Sequence, residues 1–446
     1  MAARRLPRTR LGTVVRAFFL ELPVPTPQAV RALGRRALDA LEATGLAEVG
    51  DEVVPRVRIV PVGDLLVASD DFPKRDDDPE YVAAFSTTSR ICDALTPRRK
   101  VARALDVGTG SGVQALRAAL HARHVVATDV NPRALAYTEL NAALNGFTNV
   151  ECRHGSLFEP VDGERFDLIT SNAPYVISPE NRLAYRDAGL EADELSERIV
   201  RGAASHLTDG GFATLLVSWI AADEDAPDER PLDWTAAIDC DSWILAVWEA
   251  DSLGHAAAWN DHLAGEAFAE ALDTWTDYLA RIGARWVSEG AILLHRRPGA
   301  RYSARVDLLD EEALDQAGEQ IRRAFAARAR LSELRSRAGL LDEPLAVAAP
   351  LLLERELKPR RGGPTVVAAR LHVDEGTKPT VEAGTHALEV IASLDGSARL
   401  GDVVQQTAEH LGLSKPETTR LRREALKLSR ELLELGALRF DRTPAG

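Results

Sequence analysis

Ala104-Leu105-Asp106-Val107-Gly108-Thr109-Gly110-Ser111-Gly112 ends an apolar strand, turns on three alternating glycines and opens a helix through Val113 to Leu120. Glycine is needed in such a turn because the backbone bends tightly and must admit a ligand with no Cβ in the way. From Val101 onward strands and helices alternate, the pattern of a parallel sheet. The strand candidates are Ala104 to Val107, His124 to Thr128, Val150 to Arg153, Phe166 to Thr170 and Phe212 to Trp219, with helices that include Leu135 to Leu144 and Leu195 to Leu207 between them. Ser242 to Trp248 and Arg285 to His295 read as two more strands separated by a helix from about Ala256 to Ile282, which brings the sheet to seven.

The glycines alone leave the ligand open, because dinucleotide-binding enzymes use similar turns. The second strand runs into Val126-Ala127-Thr128-Asp129-Val130-Asn131-Pro132. A carboxylate roughly twenty residues after the glycines is placed to accept hydrogen bonds from both hydroxyls of a ribose. Asp129 therefore supports an adenosine-containing ligand without separating NAD from other such cofactors. After the third strand comes His154-Gly155-Ser156-Leu157. Ser156, with Leu157 beside it, either contacts the adenine or is an ordinary turn serine, and His154 reads as a surface residue.

Phe166-Asp167-Leu168-Ile169-Thr170-Ser171-Asn172-Ala173-Pro174-Tyr175 is the most informative stretch. It resembles the (N/D)-P-P-(Y/F) loop that follows the fourth strand in enzymes methylating a planar nitrogen, and the D-x-G-x-G-x-G run resembles motif I of class I methyltransferases. Together with Gly189-Leu190 and Arg198-Ile199, the run from Ala104 to about Val217 looks like the HemK/PrmC-type glutamine-N5 methyltransferases and the related small-domain ribosomal RNA N-methyltransferases. The resemblance implies S-adenosylmethionine as donor, S-adenosylhomocysteine as product, and no metal. It assigns cofactor contacts to Asp106, Gly108, Thr109, Gly110, Gly112, Asp129, Val130, Asn131, Ser156, Leu157 and Asn172, with Asp106 at the methionine end. Asn172, Ala173, Pro174 and Tyr175 would bind the substrate, with Asn172 and Tyr175 in the catalytic roles. An amide or exocyclic amino nitrogen has a delocalised lone pair, so attack on a sulfonium methyl needs two acceptors on its two N–H bonds. The Asn172 side-chain oxygen and the Ala173 carbonyl supply them, and Tyr175 would stack on the planar group. Ala173 departs from the family pattern, which has proline there; Pro174 still biases Ala173 toward extended geometry.

Charge and composition narrow the partners. The 446 residues carry 54 Lys plus Arg against 68 Asp plus Glu, a formal charge of -14, and 45% are hydrophobic. That length predicts two or three domains, and that charge repels a polyanion unless basic residues cluster. Protein or peptide is thus the expected partner ahead of RNA, with no DNA and no membrane. Cys92, Cys152 and Cys240 have no metal-ligand spacing and read as reduced thiols, which points to the cytoplasm. Arg4, Arg5, Arg8 and Arg10 open the chain like a signal peptide, but Arg16 and Glu21 break the apolar stretch that follows, so secretion is not expected.

The flanks read as separate modules. Helical spacing from Thr26 to Leu46 precedes a strand, turn and strand around Gly63-Asp64, and Asp76 to Asp78 reads as a solvated loop. All 7 tryptophans fall between Trp219 and Trp286, where packing of the late sheet and its helix is the default use. A helix from Glu311 to Ala338 and a basic stretch from Lys358 to Gly363 follow. From His386 the order is helix, loop, helix, loop, long helix and a strand near Ala437 to Phe440, which resembles winged-helix domains and the peptide-binding chaperones of the PqqD kind. The expected architecture is α/β: a Rossmann-like, seven-stranded methyltransferase domain over residues 99–300. An N-terminal helical and β-hairpin, winged-helix-like domain over 1–98 would precede it, and a C-terminal helical and winged-helix-like domain over 301–446 would follow. The expected function is methylation of a planar amide nitrogen in a protein or peptide. The alternatives are methylation of an exocyclic amine in ribosomal RNA and a non-catalytic cofactor-binding interaction protein.

Overall fold

The computed structural model describes residues 5–70, 80–179, 191–299, 302–358 and 365–441. Asp76 to Asp78, Gly189-Leu190 and the basic stretch after Lys358 lie outside the described residues. The chain divides into two compact units, one of Met1–Cys92, Arg99–Ile238 and Trp248–Leu293, the other of Asp93–Arg98, Asp239–Val247 and Leu294–Gly446.

In the first unit, the helical stretch expected from Thr26 to Leu46 is two helices, α1 (Thr26–Leu33) and α2 (Arg35–Ala43), broken at Gly34 where φ is +87°. A hairpin of β1 (Val57–Val62) and β2 (Leu65–Asp70) turns on Gly63-Asp64, as the sequence predicted. After it come α3 (Thr87–Leu95), β3 (Val101–Val107), α4 (Val113–Ala119), β4 (Ala122–Asp129), α5 (Pro132–Leu144), β5 (Val150–His154) and β6 (Phe166–Ser171). The unit continues through α6 (Glu194–His206), β7 (Leu207–Ala221) and α7 (Glu229–Ala236). Asn131 caps α5 by accepting from Arg133 N–H, and Pro132 occupies the first turn, where its missing N–H costs nothing. Two asparagines on α5 then act as a strand partner for β2. Asn141 bonds both the N–H and the C=O of Ala68, at 2.7 and 2.8 Å, and Asn145 does the same at Leu66, at 2.9 and 2.7 Å.

The strands lie in the order β5-β4-β3-β6-β7, every neighbouring pair parallel. Residues such as Leu105, Val107, Val126, Ala127, Leu168, Ile169, Leu215 and Val217 are fully buried, giving the near-continuous apolar runs of strands covered on both faces. The chain builds outward from β3 to β4 and β5, then returns to place β6 on the opposite side. This reversal makes a switch point, and the crevice at the carboxyl ends of β3 and β6 is where open α/β sheets bind ligands. The register sets Asp106 beside Thr170 and Val107 beside Ser171, so both strands end at the same level.

The two late strands are present as β8 (Cys240–Asp251) and β9 (Trp286–Arg296). The single helix expected between them is two, α8 (Ser252–Trp259) and α9 (Glu266–Arg281), separated at Gly265 with φ +62°. Seven strands is an undercount: β10 (Ala304–Leu308) pairs in parallel with Ser242–Ala246 of β8. Its charged residues, Arg305 and Asp307, interrupt the apolar run by which the other strands were read. Trp219, Trp243 and Trp275 are fully buried, as the packing default required.

In the second unit the helix predicted over Glu311 to Ala338 is shorter, Gly318–Glu333. Helices Thr385–Ala392, Leu400–His410 and Lys415–Glu434 follow in the predicted order. Pro344–Val347 pairs antiparallel with both Asp395–Arg399 and Leu438–Phe440 to make a three-stranded sheet. Among the described residues no helix is long and apolar enough to cross a membrane.

Candidate active site

The turn after β3 is fixed from several sides. The N–H groups of Gly108 and Thr109 both donate to the Thr128 carbonyl, at 2.9 and 3.0 Å, which ties the turn to β4. Gly108 and Gly110 have φ of +67° and +55°, a region costly for any residue with a Cβ. A Cβ on Gly108 would stand 2.8 Å from that of Ala173, so the turn and the loop after β6 are in direct contact. Around a Cβ on Gly110 no protein atom lies within 4 Å. That open side is where a ligand can approach the backbone.

Two carboxylates frame the turn. Asp106 is buried, and its oxygens accept from the Thr109 hydroxyl at 2.7 Å, the Thr170 hydroxyl at 2.9 Å and the Ala115 N–H at 3.1 Å. Burial pushes its carboxyl up to about 6, against the pull of these three donors. Asp106 thus braces the turn, β6 and α4 together. Asp129 ends β4 and accepts from Gly110 N–H at 3.0 Å and Asn131 N–H at 2.9 Å; burial raises its pKa as well. Neighbouring Val130 is exposed, and Asn131 spends both ends of its amide structurally, on Arg133 N–H and on the Glu80 carbonyl. After β5, Leu157 holds φ +49°, an unusual conformation for a branched side chain, and its carbonyl accepts from Thr128 at 3.1 Å. Ser156 beside it is exposed, and so is His154, which pairs with the Val130 carbonyl.

The loop after β6 brings in residues that sequence reasoning missed. The Asn172 Nδ2 lies 3.3 Å from both the Thr88 and Ser89 hydroxyls at the start of α3. Ser86 links these hydroxyls, at 2.9 Å to Thr88 and 3.1 Å to Ser89. With its NH2 group committed to α3, Asn172 offers its remaining polar atom, the oxygen Oδ1, as an acceptor. Ala173 is buried against Gly108, Pro174 and Tyr175 are half-buried, and the Tyr175 carbonyl accepts from the Ser218 hydroxyl on β7. The signal for α3 was the hydroxyl run Ser86-Thr87-Thr88-Ser89, a helix N-terminus pattern in residue type.

The span from Thr87 to Ala221, which opens on α3 and closes with β7, matches the family described as the methyltransferase small domain. The chain is also similar to glutamine methyltransferases. The ribosomal protein uL3 glutamine methyltransferase of Bradyrhizobium diazoefficiens is 34% identical over 34% of this chain and 52% of its own. The release factor glutamine methyltransferases of Xylella fastidiosa and Deinococcus radiodurans are each 35% identical, over 26% and 32% of this chain and 47% and 56% of theirs. The chain therefore spans about half the length of the curated relatives it matches. The resemblance read from the glycine turn and the Asn172 loop is borne out. The matched span contains Thr88, Ser89, Asp106, Asp129, Asn172 and Ser218, and α3 lies within it. Among the described residues no group of His, Cys, Asp and Glu has the arrangement of a metal site.

Proposed function

We propose that the protein transfers a methyl group from S-adenosylmethionine to the side-chain amide nitrogen of a glutamine in a protein or peptide. The observation that carries this reading is Asn172: its Nδ2 faces the Thr88 and Ser89 hydroxyls, and its oxygen is left as an acceptor at the switch point beside the glycine turn. The cofactor fits the residues present. The open side of Gly110 admits it, Asp129 stands where ribose hydroxyls would donate, and the polar groups framing the turn are carboxylates, which suit a cationic ligand better than a phosphate. When bound, S-adenosylmethionine supplies a methyl group on a positively charged sulfur.

Asn172 Oδ1 and the Ala173 carbonyl would then each accept one N–H of the substrate amide, which orients the nitrogen and draws its lone pair out of conjugation. Tyr175 would cover the planar amide and exclude water. As the N–C bond forms, the C–S bond breaks, and the nitrogen releases a proton to water or to a carbonyl acceptor. No His or carboxylate of the site is needed as a base. We read the regions 1–98 and 301–446 as winged-helix-like modules that present the substrate, and a cytoplasmic setting accords with that class of substrate.

Incubation with radiolabelled S-adenosylmethionine and separated ribosomal protein and ribosomal RNA fractions tests the proposal. The expected result is label in protein, on glutamine. Label in RNA would replace the amide with an exocyclic amine. No label in either, despite measurable cofactor binding, would refute catalysis.

A further inference from the structure

The loop that carries Asn172 is held from outside the matched domain. Segment 175–177 is clamped on both faces: Val176 packs with Ala256, Trp259, Leu272 and Trp275, while Ile177 packs with Ile220, Leu279, Ala284 and Val287. Two side chains take its alternate carbonyls, Ser218 at Tyr175 and His255 at Ile177, the latter at 2.9 Å from the imidazole Nε2. His255 lies on α8, beyond the span that matches the family, and is completely buried between the rings of Trp248 and Trp275, at 5.8 and 5.6 Å. Burial pushes its pKa down to about 4, so the ring is neutral and its proton sits on Nε2, the nitrogen that faces the carbonyl. Its Nδ1 has no hydrogen-bond partner among the described residues, with the Glu289 carboxylate 4.0 Å away. Glu289 itself accepts from the Trp259 indole at 2.9 Å.

A completely buried imidazole that spends its one N–H on a loop carbonyl two residues beyond Tyr175 is placed to fix that loop. The restraint matters because Ala173 lacks the ring-fixed φ of the proline that the family pattern has at this position. We infer that His255 is a positioning residue for the Asn172–Tyr175 loop, acting through the Ile177 carbonyl in concert with Ser218. The inference rests on the proposed methyl transfer only for its kinetic readout.

The test uses the full chain with His255→Leu, which removes the donor, and His255→Gln, which keeps an N–H at similar reach. Hydrogen exchange over residues 172–179 is measured beside S-adenosylmethionine affinity by calorimetry and label transfer to the ribosomal protein fraction. In His255→Leu, exchange over 172–179 is expected to rise about 10- to 100-fold, as for loss of one buried hydrogen bond, with kcat falling by a similar factor. Cofactor Kd and KM should stay within about 2-fold, and His255→Gln should recover most of both losses. If His255→Leu fails to fold, Ser218→Ala at the neighbouring carbonyl is read in the same way. Unchanged exchange over 172–179, or equal losses in the Leu and Gln variants, would overturn the inference. Should the wild-type protein methylate nothing, the proposed function fails while the exchange comparison still decides the role of His255.

Discussion

Gly108→Ala tests the contact between cofactor turn and catalytic loop more directly than any polar substitution. The added Cβ would lie 2.8 Å from Ala173 Cβ and 3.1 Å from Ala173 Cα, against an ordinary carbon–carbon contact of about 3.5–4.0 Å. Ala173 must therefore move by roughly 1 Å, and it carries one of the two proposed acceptors. A displacement of that size at the reacting groups costs about 100-fold in rate. Independently, φ of +67° strains alanine by about 1–2 kcal/mol, which lowers Tm by roughly 2–8 °C in a unit of this size. Gly110→Ala is the control, because it carries the same kind of strain at φ +55° with no protein atom within 4 Å. It should weaken cofactor binding and leave kcat at saturation largely intact. Kinetics of label transfer, with cofactor Kd from calorimetry, separates the two. Adding Ala173→Gly removes the Cβ–Cβ clash, so Gly108→Ala should cost less kcat in the Ala173→Gly background than in the wild type. Normal kcat in Gly108→Ala, or an equal loss in both backgrounds, would refute the coupling of turn and loop.

Three further outcomes are expected. Replacing Thr88 by Val together with Ser89 by Ala frees the Asn172 amide to flip, and kcat should drop about 10-fold at unchanged cofactor Kd in the same kinetic assay; an unchanged kcat would remove α3 from the site. Asp129→Ala deletes the acceptor of the Gly110 N–H, the carboxylate proposed to take the ribose hydroxyls; calorimetry should show cofactor affinity lowered about 10- to 100-fold. Burial raises Glu289 to about 7. A carboxyl that holds its proton more tightly in the folded state contributes full stability below its unfolded value and loses it as pH rises through about 7. That loss reaches up to about 3 kcal/mol. Glu289→Gln should therefore melt higher than wild type at pH 8 and show no such decline between pH 5 and 8; parallel melting curves for the two proteins would contradict the assignment.

What was legible in the sequence was local. The glycine turn, Asp129 and the Asn172 loop are each carried by a few consecutive residues at the end of an apolar strand, and strand alternation placed them on one parallel sheet. The breaks at Gly34 and Gly265 were also written locally, yet apolar spacing on either side of each masked them. Two residues assigned to cofactor contact carry structural duties in addition. Asn131 is a helix cap, which Asn-Pro before a helix signals, and Asp106 turns its oxygens inward to three donors. What was not legible was pairing over distance. Asn172 meets Ser89 across 83 positions and Ile177 meets His255 across 78, and no periodicity encodes either. β10 was missed for a different reason: charged residues inside a short strand leave no apolar run to read.

The choice of hydroxyls opposite Asn172 follows from the charges already buried nearby. A carboxylate at position 89 would hold the Asn172 NH2 group more strongly than a serine does, since charge-assisted hydrogen bonds are about twice as strong. It would also place a third acid in a site where burial already raises both Asp106 and Asp129, and where the charge of Asp129 raises Asp106 further. The added charge would make each of the three hold its proton more tightly. A protonated Asp106 would turn an O–H toward one of its three donors, loosening the joint between the turn, β6 and α4. Uncharged hydroxyls at Thr88 and Ser89 orient the amide while leaving the two carboxylates to their own partners.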